Sequence, residues 1–193
     1  MDVLHSVIIC AVHTLGQDGR RGGAVGARDA NLLGALALAV AGRFDTSSEA
    51  AALVALHGYL GGRPIEALRR VLALSHPATV RLVDRLAGRG LVTREPGADR
   101  RSLALALTPA GTAAALELQR RREAAVAGVI AVLDVDERAA LAPLLERLLH
   151  GLVDGRADAR RICRLCDPVA CGHHDGRCPT TNAAREKAPQ DYA

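Results

Sequence analysis

The chain has 193 residues, of which 49% are hydrophobic, only 2% are aromatic and none is Trp. This length suffices for one main domain with its own core plus shorter flanking segments, and an apolar content dominated by Ala and Leu favours a mostly α fold. The net charge of +4 is compatible with nucleic acid as a partner. The apolar stretches at 3–12 and 32–40 are too short to span a bilayer, and the first has no basic segment before it as a secretory signal would. We therefore expect a cytoplasmic protein with no membrane partner.

The N-terminal part of the chain predicts a flexible segment and then a helix. Residues 1–28 contain the Gly-rich run GQDGRRGGAVGA, which is typical of a flexible segment. Residues 29–43 (DANLLGALALAVAGR) predict a helix that is apolar on nearly every side. Such a helix is expected to be buried in a core or in a subunit interface.

Three shorter helices are predicted next. Thr46 and Glu49 have the spacing of a capping box for a helix over 48–60, which ends at a Gly-Gly pair. Residues 64–72 (PIEALRRVL) predict a short amphipathic helix. A third helix over 75–87 begins with a capping Ser.

A β-hairpin is predicted after the third helix. Residues 91–96 (LVTREP) form a strand-like run, and residues 102–108 (SLALALT) alternate leucine with small or polar residues, as in a half-buried strand. The charged turn GADRR between them completes the hairpin.

Two longer helices close the predicted main domain. Thr108 caps a helix that runs to about residue 133 and has proline at its first position. A D-x-x-E capping box starts a last helix over 134–153, in which Pro143 is expected to cause a kink.

The order helix, short helix, turn, helix, hairpin is that of a winged helix-turn-helix unit. The second helix of such a unit lies in the major groove of DNA and contacts base edges with its first residues. Between residues 63 and 101 the chain carries nine Arg against four acidic residues, and concentrated positive charge supplies the salt-dependent part of DNA affinity. The residues predicted at or near the groove side are His76, Pro77, Thr79, Arg81 and Arg85.

The run LSHPATVRLVDRLAGRGLVTREPGADRRSLALALTPAG, residues 74–111, resembles the winged-helix core of the MarR family of bacterial transcription regulators. Five elements carry the resemblance: an LS start of the recognition helix, an RLVDRL-like body, a GLV strand, a D-R-R wing and a strand that ends in LT-x-x-G. With its flanking helices the resemblance covers residues 29–153. It implies a DNA-binding core over 63–108 and a homodimer formed by the helices over 29–43 and 109–153.

The resemblance also implies partners and roles for particular residues. It implies binding of double-stranded DNA at a pseudo-palindromic operator, usually with repression, and family members often bind a small-molecule effector between the dimer helices and the winged helix. Ser75 to Arg85 would form the recognition helix, with Arg81 and Arg85 on phosphates or bases. Asp99 would brace the wing while Arg100 or Arg101 enters the minor groove.

Four of the five cysteines lie in the stretch CRLCDPVACGHHDGRC, with the spacing C-x2-C-x4-C-x6-C. Zn²⁺ takes four ligands, and closely spaced thiolates on a short loop can supply them, as in a zinc knuckle with Cys in place of its His. An iron–sulfur cluster, a thiol switch and no role at all stay open as alternatives. The proposed ligands are Cys163, Cys166, Cys171 and Cys178, with His173 and His174 as substitutes.

The sequence thus predicts a mostly α winged helix-turn-helix repressor, followed by a Cys-rich metal or redox element over 154–182 and a disordered tail over 183–193. One alternative is a protein-interaction module in which a zinc knuckle binds the partner. A thiol-disulfide oxidoreductase is the other, but the βαβ context of its C-x2-C motif is missing. We therefore do not expect an enzyme.

Overall fold

The computed structural model describes residues 26–97 and 103–192. Its contacts divide the chain into two units, 1–38 and 39–193. Helix α1 (Ala27–Ala41) contains no buried residue. Its leucines Leu32, Leu33, Leu36 and Leu38 are about half exposed. The helix therefore has the apolar character that the sequence predicts, and within the described chain its apolar side chains are not in a core.

Helix α2 (Ser48–Ala55) is almost completely buried and continues as a π-helical turn (Leu56–Leu60). Its cap is Ser47, whose hydroxyl accepts a hydrogen bond from the Ala50 N–H, so the predicted capping box at Thr46 is wrong by one residue. The reason is local. An Asp45 carboxylate oxygen accepts a hydrogen bond from the Ser47 N–H at 2.8 Å, and this bond holds Ser47 at the capping position.

The helix-turn-helix consists of α3 (Ile65–Leu72) and α4 (His76–Gly88). The turn between them passes through Ala73, which has a positive φ of 53°. Ser75 caps α4, as predicted. The positions of both helices agree with the sequence prediction to within one residue.

The predicted hairpin is present as β2 (Val92–Pro96) and β3 (Leu103–Leu107), which pair antiparallel. A two-residue strand β1 (Arg63–Pro64) also pairs with β3, giving the order β1-β3-β2. Sequence patterns did not predict β1, since two residues are too short to show an alternating pattern.

Two long helices follow the hairpin. Helix α5 (Pro109–Ile130) starts at the predicted cap and proline. Helix α6 (Val135–Gly151) starts at the predicted capping box and continues as one helix through Pro143.

The C-terminal segment, defined here as residues 154–192, is more ordered than the sequence predicts. It contains α7 (Arg156–Ile162), a 3-10 turn (Cys163–Leu165), α8 (Pro179–Lys187) and a second 3-10 turn (Pro189–Tyr192). A disordered tail was expected from residue 183, but Ala183 and Ala184 are fully buried in α8. Small residues with few apolar neighbours in sequence gave no signal of this burial.

The unit formed by residues 39–193 has a main core and a small second one. The main core joins α2, α3, α4, the sheet and the start of α5, and its larger members are Leu53, Leu56, Leu60, Leu68, Val71, Leu72, Leu82, Val83, Leu86, Val92 and Leu105. The second core holds only Val153, Ala159, Ala183 and Ala184, with Ile162 packed against them. In the described ranges no helix is both long enough and apolar enough to cross a membrane.

Candidate nucleic-acid interface and cysteine cluster

Helix α4 has one face in the core and one in solvent. Leu82, Val83 and Leu86 are buried in the main core. His76, Pro77, Arg81 and Arg85 are exposed. The four side chains lie on a rigid helix, because the apolar face fixes its rotation against α2 and α3.

The first turn of α4 separates two residues that the sequence analysis placed together. Ser75 is exposed and its hydroxyl accepts the Ala78 N–H at 3.4 Å. Thr79 has no exposed surface, and its hydroxyl donates to the Ser75 carbonyl oxygen at 3.0 Å. The predicted groove-facing position of Thr79 is therefore not what the structure shows: position 79 is one turn before Val83 and belongs to the same buried face.

Two arginines near the end of α4 share one carboxylate. The Glu49 carboxylate of α2 accepts a hydrogen bond from Arg85 Nε at 3.1 Å and another from a terminal nitrogen of Arg89 at 2.7 Å. Asp84 pairs with Arg94 of β2 at 2.6 Å, so it acts as a surface partner of an arginine. These pairs connect α4 to α2 on one side and to the hairpin on the other.

The base of the hairpin is fixed by the Thr and Gly of the LT-x-x-G motif. Thr108 donates its backbone N–H to the Leu91 carbonyl oxygen at 3.1 Å and its hydroxyl to the Gly90 carbonyl oxygen at 2.7 Å. Gly111 also lies very close to the backbone just before β2, so that a Cβ on Gly111 would be 1.9 Å from the Leu91 carbonyl oxygen. The predicted wing residues Asp99, Arg100 and Arg101 lie outside the described residues.

The four cysteines of the cluster come from successive parts of the C-terminal segment. Cys163 begins the 3-10 turn and Cys166 directly follows it, and the Cys166 N–H donates to the Cys163 carbonyl oxygen at 2.9 Å. Cys171 lies in the following turns and Cys178 caps α8. Thr180 joins the two ends of the stretch, since its buried hydroxyl lies 3.0 Å from Cys163 Sγ and 3.2 Å from Cys178 Sγ.

The thiols also contact one another. The Cys163 thiol hydrogen-bonds to those of Cys166 and Cys178, which lowers the pKa of both partners and raises its own. Cys171 interacts with Cys178, and burial raises the pKa of its thiol. The structure thus brings together all four predicted residues, although among the described residues no group of three or more Cys, His, Asp or Glu is arranged to hold a metal ion as it stands.

Basic and aromatic side chains surround the cluster. Arg122 of α5 and Arg164 act on Cys166 as positive charges that lower the pKa of its thiol. The phenol of Tyr59, in the π-helical turn, donates to the Arg160 carbonyl oxygen at 3.3 Å, and its pKa is raised by burial first and by Cys163 second. A cavity of about 250 Å³ beside Cys163 and Cys166 is lined in part by Tyr59 and His173.

Sequence reasoning missed three of these residues, Tyr59, Arg122 and Thr180. Thr180 had a signal, because a hydroxyl two residues after a cysteine can reach its sulfur. Tyr59 and Arg122 are more than 35 residues from the nearest cysteine of the cluster along the chain. Their part in the site depends on how α2 and α5 pack, which the local pattern does not contain.

Helices α3 and α4 form a two-helix unit, and the second of them exposes a polar face. An antiparallel hairpin follows, and a third short strand pairs with it. This arrangement defines a winged helix-turn-helix protein. Residues 46–102 match the model of the MarR family. Over this stretch the chain is similar to the MarR family, whose members are transcription regulators and not enzymes. The predicted resemblance to the family, the predicted fold class and the prediction of a transcription regulator rather than an enzyme are therefore confirmed. The matched region ends well before the cysteine cluster.

Solved structures agree with the fold. RV1404 from Mycobacterium tuberculosis is 25% identical with a TM-score of 0.54, over 68% of this chain and 95% of that one. A MarR family protein from Bacillus stearothermophilus is 24% identical with a TM-score of 0.56, over 63% and 91%. MepR, a transcription regulator of the Staphylococcus aureus multidrug efflux pump MepA, is 17% identical with a TM-score of 0.57, over 64% and 97%. The search of curated proteins gave no match.

Proposed function

We propose that this protein is a repressor that binds a pseudo-palindromic operator in double-stranded DNA as a homodimer and carries a C-terminal four-cysteine metal or redox site. The exposed face of α4 carries the proposal. His76, Pro77, Arg81 and Arg85 are presented together on a helix whose opposite face is locked in the core. A helix held in this way can enter the major groove without losing its own packing.

The charge of the region supports a nucleic acid rather than a protein as the partner. Exposed arginines lie on α4, just after it and on the adjoining strand β2, at Arg81, Arg85, Arg89 and Arg94. Glu49 and Asp84 offset part of this charge in the free protein. Phosphates are well suited to compete for these arginines, because a guanidinium binds phosphate oxygens with two parallel hydrogen bonds. The family resemblance also assigns Asp99, Arg100 and Arg101, which lie outside the described residues, to the proposed interface.

The homodimer is supported by apolar surface on the long helices. Leu144, Leu145 and Leu148 of α6 and Leu152, the residue directly after it, lie at i, i+1, i+4 and i+8. Each is 42–52% exposed, so they form one apolar stripe. A stripe of this kind is typical of a helix that packs against a second subunit. Helix α1 exposes leucines of its own, which gives a second apolar surface for a partner subunit.

Two further elements complete the proposal. A small-molecule effector would change operator affinity by binding one dimer geometry better than another. The protein would act in the cytoplasm, with the operator. An interaction module without DNA binding is the competing function, and the experiment below separates the two.

DNA binding is tested by fluorescence anisotropy with labelled duplexes from the region upstream of its own gene, over a series of salt concentrations. Arg81→Ala should weaken binding about 10-fold or more and reduce the slope of log K against log salt by about one unit. The double variant Arg100→Ala/Arg101→Ala should weaken it further. Arg120→Ala is the matched control, because it removes the same charge from α5, outside the helix-turn-helix and the wing. Equal affinity of all variants, or no binding to any upstream duplex, would contradict the proposal.

The dimer is tested by light scattering after size exclusion. Leu148→Glu puts a charge into the α6 stripe and should give a monomer. Leu103→Glu is the control, because this wing leucine is exposed to a similar extent, 59% against 50%. A monomeric native protein, or a dimer that tolerates Leu148→Glu, would contradict the proposed interface.

A further inference from the structure

The second core of the protein is too small to hold the C-terminal segment in place by apolar burial. Three of its four buried members are alanines, and Val153 is the only larger one. Burial contributes about 25 cal/mol per Å² of apolar surface, so a few alanine methyl groups cannot offset the entropy of ordering about 39 residues. Small structural units of this kind usually depend on a disulfide or a metal ion. The four cysteines of the cluster are free thiols.

We propose that the four cysteines bind one Zn²⁺ as thiolates, and that this ion fixes the C-terminal segment against α2 and α3 of the winged helix. This inference specifies the cysteine site of the proposed function. It does not depend on DNA binding.

The contacts between the sulfur atoms favour a single ion. In a tetrahedral site with Zn–S bonds of about 2.3 Å, neighbouring sulfurs are about 3.8 Å apart, which is near van der Waals contact. The Thr180 hydroxyl oxygen lies 3.0 Å from Cys163 Sγ and 3.2 Å from Cys178 Sγ, so these two sulfurs are at most about 6.2 Å apart, and Cys166 follows Cys163 after one 3-10 turn. Release of the thiol protons and rotation of the side chains toward a common centre would convert the present contacts into a ligand set.

The backbone of the stretch has the turns that a four-ligand loop requires. Gly172 and Gly176 have φ of +65° and +71°, values that other residues rarely adopt, and they reverse the chain between Cys171 and Cys178. The Cys163 to Cys166 turn is closed by its own hydrogen bond of 2.9 Å. Both ends of the loop therefore face each other before any metal binds.

The surroundings can stabilise thiolate charge. Thr180 can donate its hydroxyl to either Cys163 or Cys178. Four thiolates and one Zn²⁺ carry a net charge of −2. Arg122 and Arg164, the two guanidinium groups next to Cys166, can balance it. Such outer hydrogen bonds and charges orient the ligands of a metal site.

The contacts of the C-terminal segment with the π-helical turn after α2 and with α3 show which parts of the fold the ion would hold together. Leu165, between the first two cysteines, packs against the main core. The Pro168 ring lies 3.6 Å from the position that a Cβ on Gly58 would occupy. The Tyr59 phenol donates a hydrogen bond to a backbone carbonyl oxygen of α7. Helix α7 packs on α3, the first helix of the helix-turn-helix. The loop that would bind zinc is thus seated directly on the π-helical turn.

The first test is the metal content of the full chain purified without oxygen, measured for zinc, iron and acid-labile sulfide. We expect about one zinc per chain and no colour. Cobalt substitution should give the intense absorbance of a tetrahedral tetrathiolate site. Cys163→Ser and Cys178→Ser should each lose the zinc. Cys10→Ser removes the one cysteine outside the cluster and should retain it.

A second measurement keeps the inference testable if the cysteine variants do not fold. A strong chelator added to the native protein should lower its Tm and open the region around residues 163–178 to proteolysis, and added Zn²⁺ should reverse both effects. Iron with sulfide, absence of any metal, or full zinc content in Cys163→Ser would overturn the inference. Zinc binding in a protein that binds no upstream DNA would leave it standing and reject the proposed DNA-binding role instead.

Discussion

Replacement of Gly111 by alanine tests the packing at the base of the wing. Gly111 lies in the first turn of α5, where its N–H donates to the Thr108 hydroxyl at 3.0 Å. A Cβ built on it would be 1.9 Å from the Leu91 carbonyl oxygen and 2.9 Å from the Leu91 carbonyl carbon. Both are backbone atoms, so a side-chain rotation cannot relieve the contact.

The expected cost follows from this distance. A carbon and an oxygen need about 3.2 Å, so α5 and the strand would have to separate by more than about 1 Å, and the Leu91 to Thr108 hydrogen bond that joins them would be lost. Overpacking of a rigid site usually costs about 1–3 kcal/mol, and a lost hydrogen bond adds about 1 kcal/mol. We therefore expect Gly111→Ala to destabilise the protein by about 3 kcal/mol. For a chain of this size that lowers Tm by about 6–12 °C.

Gly128→Ala in the same helix is the matched control. A Cβ there has no atom within 4 Å, so the substitution should gain about 0.5–1 kcal/mol from helix propensity alone. Thermal unfolding followed by circular dichroism, at one protein concentration, gives both values. A Gly111→Ala variant with a Tm within about 2 °C of the native protein would refute the reasoning, because the close approach would then not constrain the fold.

Three other substitutions test particular contacts. Thr79→Val should lower the free energy of unfolding by about 1 kcal/mol. It should change DNA affinity by less than about threefold, because the Thr79 hydroxyl is buried. A larger loss of DNA affinity in anisotropy titrations would show that Thr79 does contact DNA. Glu49→Gln should leave stability within about 1 kcal/mol and tighten DNA binding at low salt by releasing Arg85 and Arg89; weaker binding would contradict this. Burial raises the pKa of Tyr59 above its ordinary value of 10.0, so stability should fall as pH rises past that value. Tyr59→Phe should remove this part of the pH dependence in denaturant titrations, and an unchanged profile would argue against a buried phenol.

Helix boundaries were predictable where the chain carries its own start signal. The caps at Ser75 and Thr108 and the box starting at Asp134 are local, and each helix begins where they indicate. Thr46 and Ser47 show the limit of such signals. Both can cap a helix, and the choice depends on the bond from Ser47 to Asp45.

The sequence predicts which residues form the candidate sites better than it predicts how their side chains are placed in the fold. Periodicity assigns Leu82, Val83 and Leu86 to the core, but the first turn of a helix has few neighbours in the pattern, and Thr79 was placed on the wrong face. The cysteine spacing indicates that the four residues act together. The contribution of Tyr59 depends on a contact with α7, 101 residues away, which no local pattern contains.

The three-stranded sheet offers little to a further strand on either side. Its outer members are β1, two residues long and ending at Pro64, and β2, which ends at Pro96 and exposes Arg94 and Glu95. Proline has no N–H to donate, and charged side chains on a short outer strand oppose pairing with another chain. The described strands of the sheet therefore do not act as a template for aggregation, and the proposed homodimer would form through helices rather than through this sheet.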